Sequence, residues 1–445
     1  MKKFINQWLI LGLFAFSLML TGCKSNSSSS SEDEWPVKFA VISDIHYYDP
    51  SLGTSGSAFE QYLLQDRKML RESKAILTAA VNELKNSGVK FVLVPGDLTK
   101  DGEVLNHQKV ASYFQQLEDA GIEVWVIPGN HDLNNSHALR YLDNSTEPVP
   151  SATPEDFISI YHQFGYDQAL DRDPNSLSYL AEPAPNVWLI AIDSCRYEEN
   201  QPGQDPITGG RIKPETLAWI LDKVRQGREQ GKIVIAMMHH GILEHFRGQA
   251  TFDQTKDYVV QDYQTISKEL SKAGLEVVFT GHFHATDITE QSWQEENQSY
   301  KLIDVETGSL VTYPVPIRYL TLDQNKTLSI TTTRIAHIDY PLPANETFQQ
   351  YAYDYVYNGL VGLSNYIFTT KYHLTPEQTN FLAPLTASAF IAHYQGDEHI
   401  DPTTNATLMS LVQSENPLTA GLGQELLSLW TDLYPADNVW TTTLD

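Results

Sequence analysis

Five short apolar stretches each end on residues able to hold a metal ion, and this repetition constrains the fold more than any other feature. Residues 38–43 run into Asp44-Ile45-His46, and residues 90–95 into Gly96-Asp97. Residues 123–128 run into Gly129-Asn130-His131-Asp132, residues 232–238 into His239-His240-Gly241, and residues 275–280 into Gly281-His282-Phe283-His284. The stretches are rich in Val, Ile and Phe and are bounded by Gly, Pro, Asn or Asp, so they read as strands. Each motif alone is commonplace. Five in succession are not, because the strand ends of an open α/β sheet line one crevice where ligands bind. Extended backbone points positions i and i+2 to the same side. Asp44 and His46 are therefore expected to converge with Ile45 facing away, and His282 and His284 to form a second such pair. Gly96 is expected to let the backbone turn sharply beside the site.

Between the strands lie stretches of helical period. In 69–84, Leu70, Ile76, Leu77, Ala80, Val81 and Leu84 keep to one stripe. Residues 104–117 and 214–224 read similarly, with Pro214 suited to a first helical turn. A further strand is expected at 187–193, and runs at 302–305, 318–322 and 328–333 are expected to complete a second sheet. This alternation predicts an α/β sandwich around a mostly buried sheet. Residues 341–445 have another character, with one lysine and no arginine against 11 acidic residues. Helical runs at 347–360, 376–393, 405–412 and 423–433 follow Pro341-Leu342-Pro343. They predict a smaller helical C-terminal domain over 341–445, set beside a catalytic domain over 36–340. The tyrosines at 351, 353, 355 and 357 read as packing between the two.

Composition sets the class of partner. The chain has 56 acidic against 30 basic residues, a net charge of −26, and only 2 cysteines. Polyanion binding needs clustered Lys and Arg, so a nucleic-acid polymer is excluded. A disulfide-rich scaffold and a thiolate-ligated zinc site are excluded as well. Lys2 and Lys3, an apolar run, and Leu20-Thr21-Gly22-Cys23 resemble the signal peptide of bacterial lipoproteins. This implies a leader over 1–22, a lipid anchor through Cys23, a Ser-rich tether over 23–35, and an extracytoplasmic, membrane-anchored location. Cys195 ends an apolar run and reads as a buried small hydrophobe.

The series Asp44-x-His46, Gly96-Asp97, Gly129-Asn130-His131-Asp132, His239 and Gly281-His282-x-His284 resembles the calcineurin-like metallophosphoesterase superfamily, in the family's order, over about residues 37–310. The resemblance implies a four-layer β-sandwich flanked by helices and a dinuclear site. Asp44, His46 and His284 would bind one metal, and Asn130, His239 and His282 the other, with Asp97 bridging. Oxygen and imidazole donors without thiolate suit two divalent or mixed-valence ions of manganese, iron or zinc. The implied reaction is in-line attack on phosphorus by a hydroxide that the metals acidify. His131 would face the leaving oxygen, with Asp132 orienting it.

Differences from subfamily patterns narrow the expectation. Protein Ser/Thr phosphatases of this superfamily carry an arginine where Asp101 stands, and purple acid phosphatases an iron-binding tyrosine where Lys100 stands. Gly96-Asp97-Leu98-Thr99-Lys100-Asp101-Gly102-Glu103, His239-His240 and the helical extension look most like secreted bacterial cyclic-nucleotide phosphodiesterases. The expected substrate is a small phosphodiester. The alternatives are a broad phosphomonoesterase or glycerophosphodiesterase, and more remotely a non-catalytic binding lipoprotein. His240, His245, Tyr47, Tyr48 and Phe283 are expected near a base or sugar. Oligomeric state is not legible in the sequence.

Overall fold

Strands buried on both faces need no alternation of polar and apolar residues, and the central strands here show none. The structure, a computed structural model, describes residues 35–295 and 298–445. The leader over 1–22, Cys23 and the tether up to residue 34 lie outside the described residues. Along the chain come β1 (Val37–Val41), α1 (Ser57–Leu63), α2 (Ser73–Lys85), β2 (Phe91–Pro95), α3 (Val104–Glu118) and β3 (Glu123–Ile127). A small hairpin of β4 (Leu139–Tyr141) and β5 (Thr146–Pro148) follows, then α4 (Pro154–Ile160), β6 (Asp171–Arg172), β7 (Tyr179–Ala184) and β8 (Val187–Ile192). Next come α5 (Pro214–Glu229), β9 (Ile233–Met238), α6 (Tyr263–Ala273), β10 (Val277–Thr280), β11 (Ile288–Glu295) and β12 (Gln298–Glu306). The last elements are β13 (Pro316–Leu322), β14 (Thr327–Arg334), α7 (Phe348–Thr370), α8 (Pro376–Gln395), α9 (Pro402–Val412), α10 (Pro417–Leu429) and β15 (Val439–Thr443).

Two mixed sheets result, in the orders β15-β14-β13-β1-β2-β3 and β11-β12-β10-β9-β8-β7-β6. In the first, β1, β2 and β3 are parallel, and in the second β8, β9, β10 and β12 are. The sheets face each other. β2 meets β9, β3 meets β8, and Phe39 of β1 stacks on Phe91 and lies edge-on to Phe279 of β10 at 5.7 Å. Helix α3 covers β3 on one outer face, while α5 and α6 cover the second sheet on the other. The result is the expected four-layer α/β sandwich. Its parallel strands deliver their C-terminal ends to one edge.

Strands β7, β11 and β15 are absent from the sequence reading. Strand β11 reads ITEQSWQE, buried only at Ile288 and Thr289, and β15 reads VWTTT. Both are sheet edges, which lack the apolar signal of a buried strand. β7 contains Pro183 and shifts register between Ala181 and Ala184. Helices α7 to α10 are capped by Thr347, Thr375, Asp401 and Asn416, each accepting backbone N–H groups of the first turn. Helix α7 runs ten residues past the expected 360. After α10 the chain returns to the first sheet, where β15 pairs with β14. The tyrosine cluster is packing: Tyr351 donates to Glu72 at 2.7 Å, and Tyr353 lies edge-on to Tyr313. Cys195 is buried and its thiol points at the Pro128 carbonyl. No helix among the described residues is long and apolar enough to cross a membrane.

Candidate metal centre

The seven expected ligands meet at the edge where β1, β2, β3, β9 and β10 end, but not by extended backbone. Strand β1 stops at Val41 and β10 at Thr280. Asp44, His46, Asp97, His282 and His284 all take positive φ, between 40° and 77°. Left-handed backbone is unfavourable for such residues, and it recurs where a site over-determines it. The convergence of Asp44 with His46, and of His282 with His284, comes from these turns and not from strand alternation. Gly96 has φ 93°, and a Cβ there would press on Gly129 and on His239 Nδ1, each at 2.7 Å. The Asp97 carboxylate is therefore aimed by a position only glycine can fill.

Asp97 Oδ2 lies 3.5 Å from His46 Nε2 and 3.4 Å from His239 Nε2, between the two halves. On one side, His46 Nε2 and His284 Nε2 approach to 3.1 Å, with Asp44 Oδ1 3.5 Å from His284 Nε2. On the other, Asn130 Oδ1 stands 3.0 Å from His239 Nε2, and the His239 ring is 4.6 Å from that of His282. His239 Nδ1 donates to the Pro95 carbonyl at 2.9 Å, so its Nε2 turns a lone pair toward Asn130 and Asp97. All seven side chains are buried. Electron-rich atoms facing one another in a buried site call for a cation. Burial chiefly holds His46, His282 and His284 well below the ordinary imidazole range, hence neutral as metal ligands must be. His239 alone moves up, to about 9, because Asp97 and the other polar neighbours outweigh its burial. A proton there stands where an ion would. The donor set fits two borderline metal ions.

His131 is held by one ring nitrogen. Its Nδ1 meets the Lys100 carbonyl at 2.8 Å and Asp101 Oδ1 at 2.9 Å. Both partners only accept, so Nδ1 carries the hydrogen and Nε2 is left for the substrate. The side chain is 27% exposed, whereas its neighbour His46 is fully buried. Asp132 does not orient it. That carboxylate accepts the backbone N–H groups of Leu98, Thr99 and Gly129 and the Thr99 hydroxyl, bracing two ligand loops against each other. The orienting role belongs to Asp101. Lys100, one residue earlier, donates its buried ammonium to the other oxygen of Asp101 and lies 4.2 Å from the Tyr62 ring centre.

The expected substrate contacts are not brought to the site. His240 is buried, with Nδ1 on the Ser194 hydroxyl and Nε2 on the Thr208 carbonyl, both at 2.8 Å. It supports the His282 ring from 4.4 Å. Tyr47, Tyr48 and Phe283 are buried, and both tyrosine hydroxyls are bonded internally. His245 belongs to a second buried cluster. Its Nδ1 meets Asp287 at 2.6 Å, and its Nε2 is 3.2 Å from Asp304 and 3.6 Å from Glu306. His393 of α8 joins the same group through Asp287 at 3.6 Å and meets Glu398 at 2.5 Å.

Sequence reasoning missed Arg67 and Lys68, which sit between α1 and α2. Lys68 is buried, and its nearest acid is Asp66 at 3.5 Å. After burial, the Lys68 ammonium is the strongest influence lowering His46, and Arg67 the strongest lowering His284. The signal was a basic pair in a chain of strongly acidic balance, outside any motif.

A family model described as calcineurin-like phosphoesterase matches residues 37–286, more than half of the chain. The chain belongs to this family and is a metal-dependent phosphoesterase. Among solved structures it is similar to a dimetal phosphatase from Danio rerio, at 13% identity, covering 71% of this chain and 99% of that one, with a TM-score of 0.45. It is also similar to a purple acid phosphatase from yellow lupin seeds, at 11% identity, covering 67% of this chain and 52% of that one, with a TM-score of 0.42. Comparison with curated proteins gives no significant match.

Proposed function

We propose that this protein hydrolyses small phosphodiesters, cyclic nucleotides foremost, as a lipid-anchored extracytoplasmic enzyme. Asp44, His46 and His284 would hold one ion and Asn130, His239 and His282 the second, with Asp97 between them. Such ions, when bound, acidify water and neutralise charge on the phosphoryl oxygens. The protein's own part is to fix the phosphoester against His131. Asp101 and the Lys100 carbonyl hold the Nδ1 hydrogen, so the ring presents Nε2 and passes a proton from there to the leaving oxygen. The Asp101 carboxylate then faces the imidazole that has donated, which keeps its basicity high enough to be reloaded.

The observation that carries the diester preference is Asp101 itself. A carboxylate stands where a phosphate-gripping arginine would stand, and it lies against the catalytic histidine. Its charge is paired with the buried Lys100 ammonium, so this segment offers no free cation to grip phosphate. A diester brings one negative charge and a monoester two, so the diester needs such a grip less. The acidic surface admits a compact anion and disfavours a polymeric one. The test is a substrate panel with added manganese and a chelator control. It includes 3′,5′- and 2′,3′-cyclic nucleotides, glycerophosphodiesters and aryl monoesters. Cyclic nucleotides should lead the panel, and equal rates on every ester would end the proposal.

A further inference from the structure

Helices α7, α8 and α10 enclose a cavity of 180 Å³ that none of the motifs reaches. Its walls are largely apolar, with Phe390 of α8 and Leu426 of α10 among them. Two of its lining residues also belong to the surroundings of the metal centre. The Tyr258 ring lies 4.7 Å from that of the ligand His282. Arg67 donates from Nε to the Tyr394 hydroxyl at 2.8 Å, and the Tyr394 ring in turn is 6.4 Å from that of His284. Helix α7 rests directly on the Arg67 backbone, since a Cβ at Gly359 would stand 3.1 Å from Arg67 Cα. The cavity and the metal centre thus share a wall, with a guanidinium in it.

Across the cavity stands Glu425. It is only 8% exposed and accepts no hydrogen bond among the described residues. Burial chiefly pushes its carboxyl up to about 7, with Asp253 adding to the effect. A carboxyl so little exposed and without a hydrogen-bond partner gains from a ligand that supplies the missing bond. Ligand sites are mostly apolar hollows with a few placed polar groups, which is the make-up found here. In size, an apolar cavity of about 150 Å³ takes one benzene ring.

We propose that this cavity is the subsite for the organic part of the substrate, a flat heteroaromatic ring system with a hydrogen-bond donor on its edge. The phosphate end faces Arg67, on the side of the cavity toward His282 and His284, and the donor edge of the ring faces Glu425. The proposal rests on the phosphodiesterase reading for its link to turnover, but its test is equilibrium binding and does not need turnover. The metal-loaded full chain is titrated calorimetrically with adenosine 5′-monophosphate and with ribose 5-phosphate, which lacks the ring. Wild type should bind the nucleotide at least about tenfold more tightly. Ser364→Phe, which fills the cavity from α7, should abolish that preference and leave ribose 5-phosphate binding in place. Glu425→Leu should also remove it while melting no lower than wild type, because an unpaired buried carboxyl is gone. Equal affinities for the two probes in wild type, or a preference that survives both substitutions, would overturn the subsite. Failure of the phosphodiesterase reading is a separate result: a wild type that prefers the nucleotide yet cleaves no cyclic diester.

Discussion

Two buried groups of histidine and carboxylate lie close together in this chain, and they balance their charge by different means. Only Ala285 and Thr286 separate His284 of the first from Asp287 of the second. In the metal centre the imidazole Nε2 atoms face one another and the carboxylates at 3.0–3.5 Å, on backbone held in the left-handed region. In the second group the histidine Nδ1 atoms meet carboxylates at 2.5 and 2.6 Å, too close for an ion to stand between them. Burial lowers both His245 and His393, but their carboxylates outweigh it, and both move up from the ordinary value. The same residue types make a cation site in one place and a proton-closed network in the other. The difference lies in which nitrogen is presented, and in whether the distance leaves room for an ion.

Substitutions can break this contrast. Asp97→Ala should reduce phosphoester hydrolysis to background and lower metal content, measured by elemental analysis, from about two ions per chain. His131→Ala should cut turnover by about 10²–10⁴-fold with metal content unchanged, and loss of both ions in that variant would remove its proton-transfer role. Asp101→Asn should cost about 10–100-fold in turnover, as losses of orienting partners commonly do, and Asp132→Asn should instead act on melting temperature. Glu398→Gln leaves His393 without its charged partner, so it should destabilise the fold by on the order of 3 kcal/mol in denaturant unfolding. Its metal content should match wild type. A third ion per chain, lost in this variant, would dissolve the contrast between the two groups.

The smallest effect is a pH dependence. Glu306, enclosed by His245, His393, Asp287 and Asp304, is pushed from an ordinary 4.5 to about 8, chiefly by burial. Its folded form prefers the proton, so its contribution to stability is whole below pH 4.5 and is lost as pH rises to 8. Glu306→Gln keeps the neutral form. Its melting temperature should therefore fall less than that of wild type between pH 5 and 8, by on the order of 2–4 °C.

The convergence of the seven expected ligands was legible because each is local to a strand end, and strand ends meet whatever the loops do. What the strand argument misjudged was the backbone, left-handed at five ligands where extended geometry was expected. The orienting residue was not legible, since Asp101 and Asp132 are equal candidates until the direction of His131 Nδ1 is known. Arg67 and Lys68 reach the site through a segment with no motif, and edge strands β11 and β15 carry too little apolar pattern to stand out. The core strands, by contrast, are continuous apolar runs in the sequence and in the fold.

Strand β15 has a consequence for the helices before it. Residues 335–438 leave the first sheet from β14 and come back to its immediate neighbour. Asp437 and Asn438 fasten the return, accepting from Ile288 and donating to the Gln395 carbonyl. The four helices are thus a closed loop with both ends clamped, and not an appendage free to swing on one hinge. Loop-closure entropy rises only slowly with length, so so long an excursion is cheap to keep shut. Glu425 then meets the Arg67 side of the molecule at the effective concentration of an intramolecular partner. Unpairing one edge strand, which begins 14 residues after Glu425, would dilute that wall of the cavity without touching any of the seven expected metal ligands.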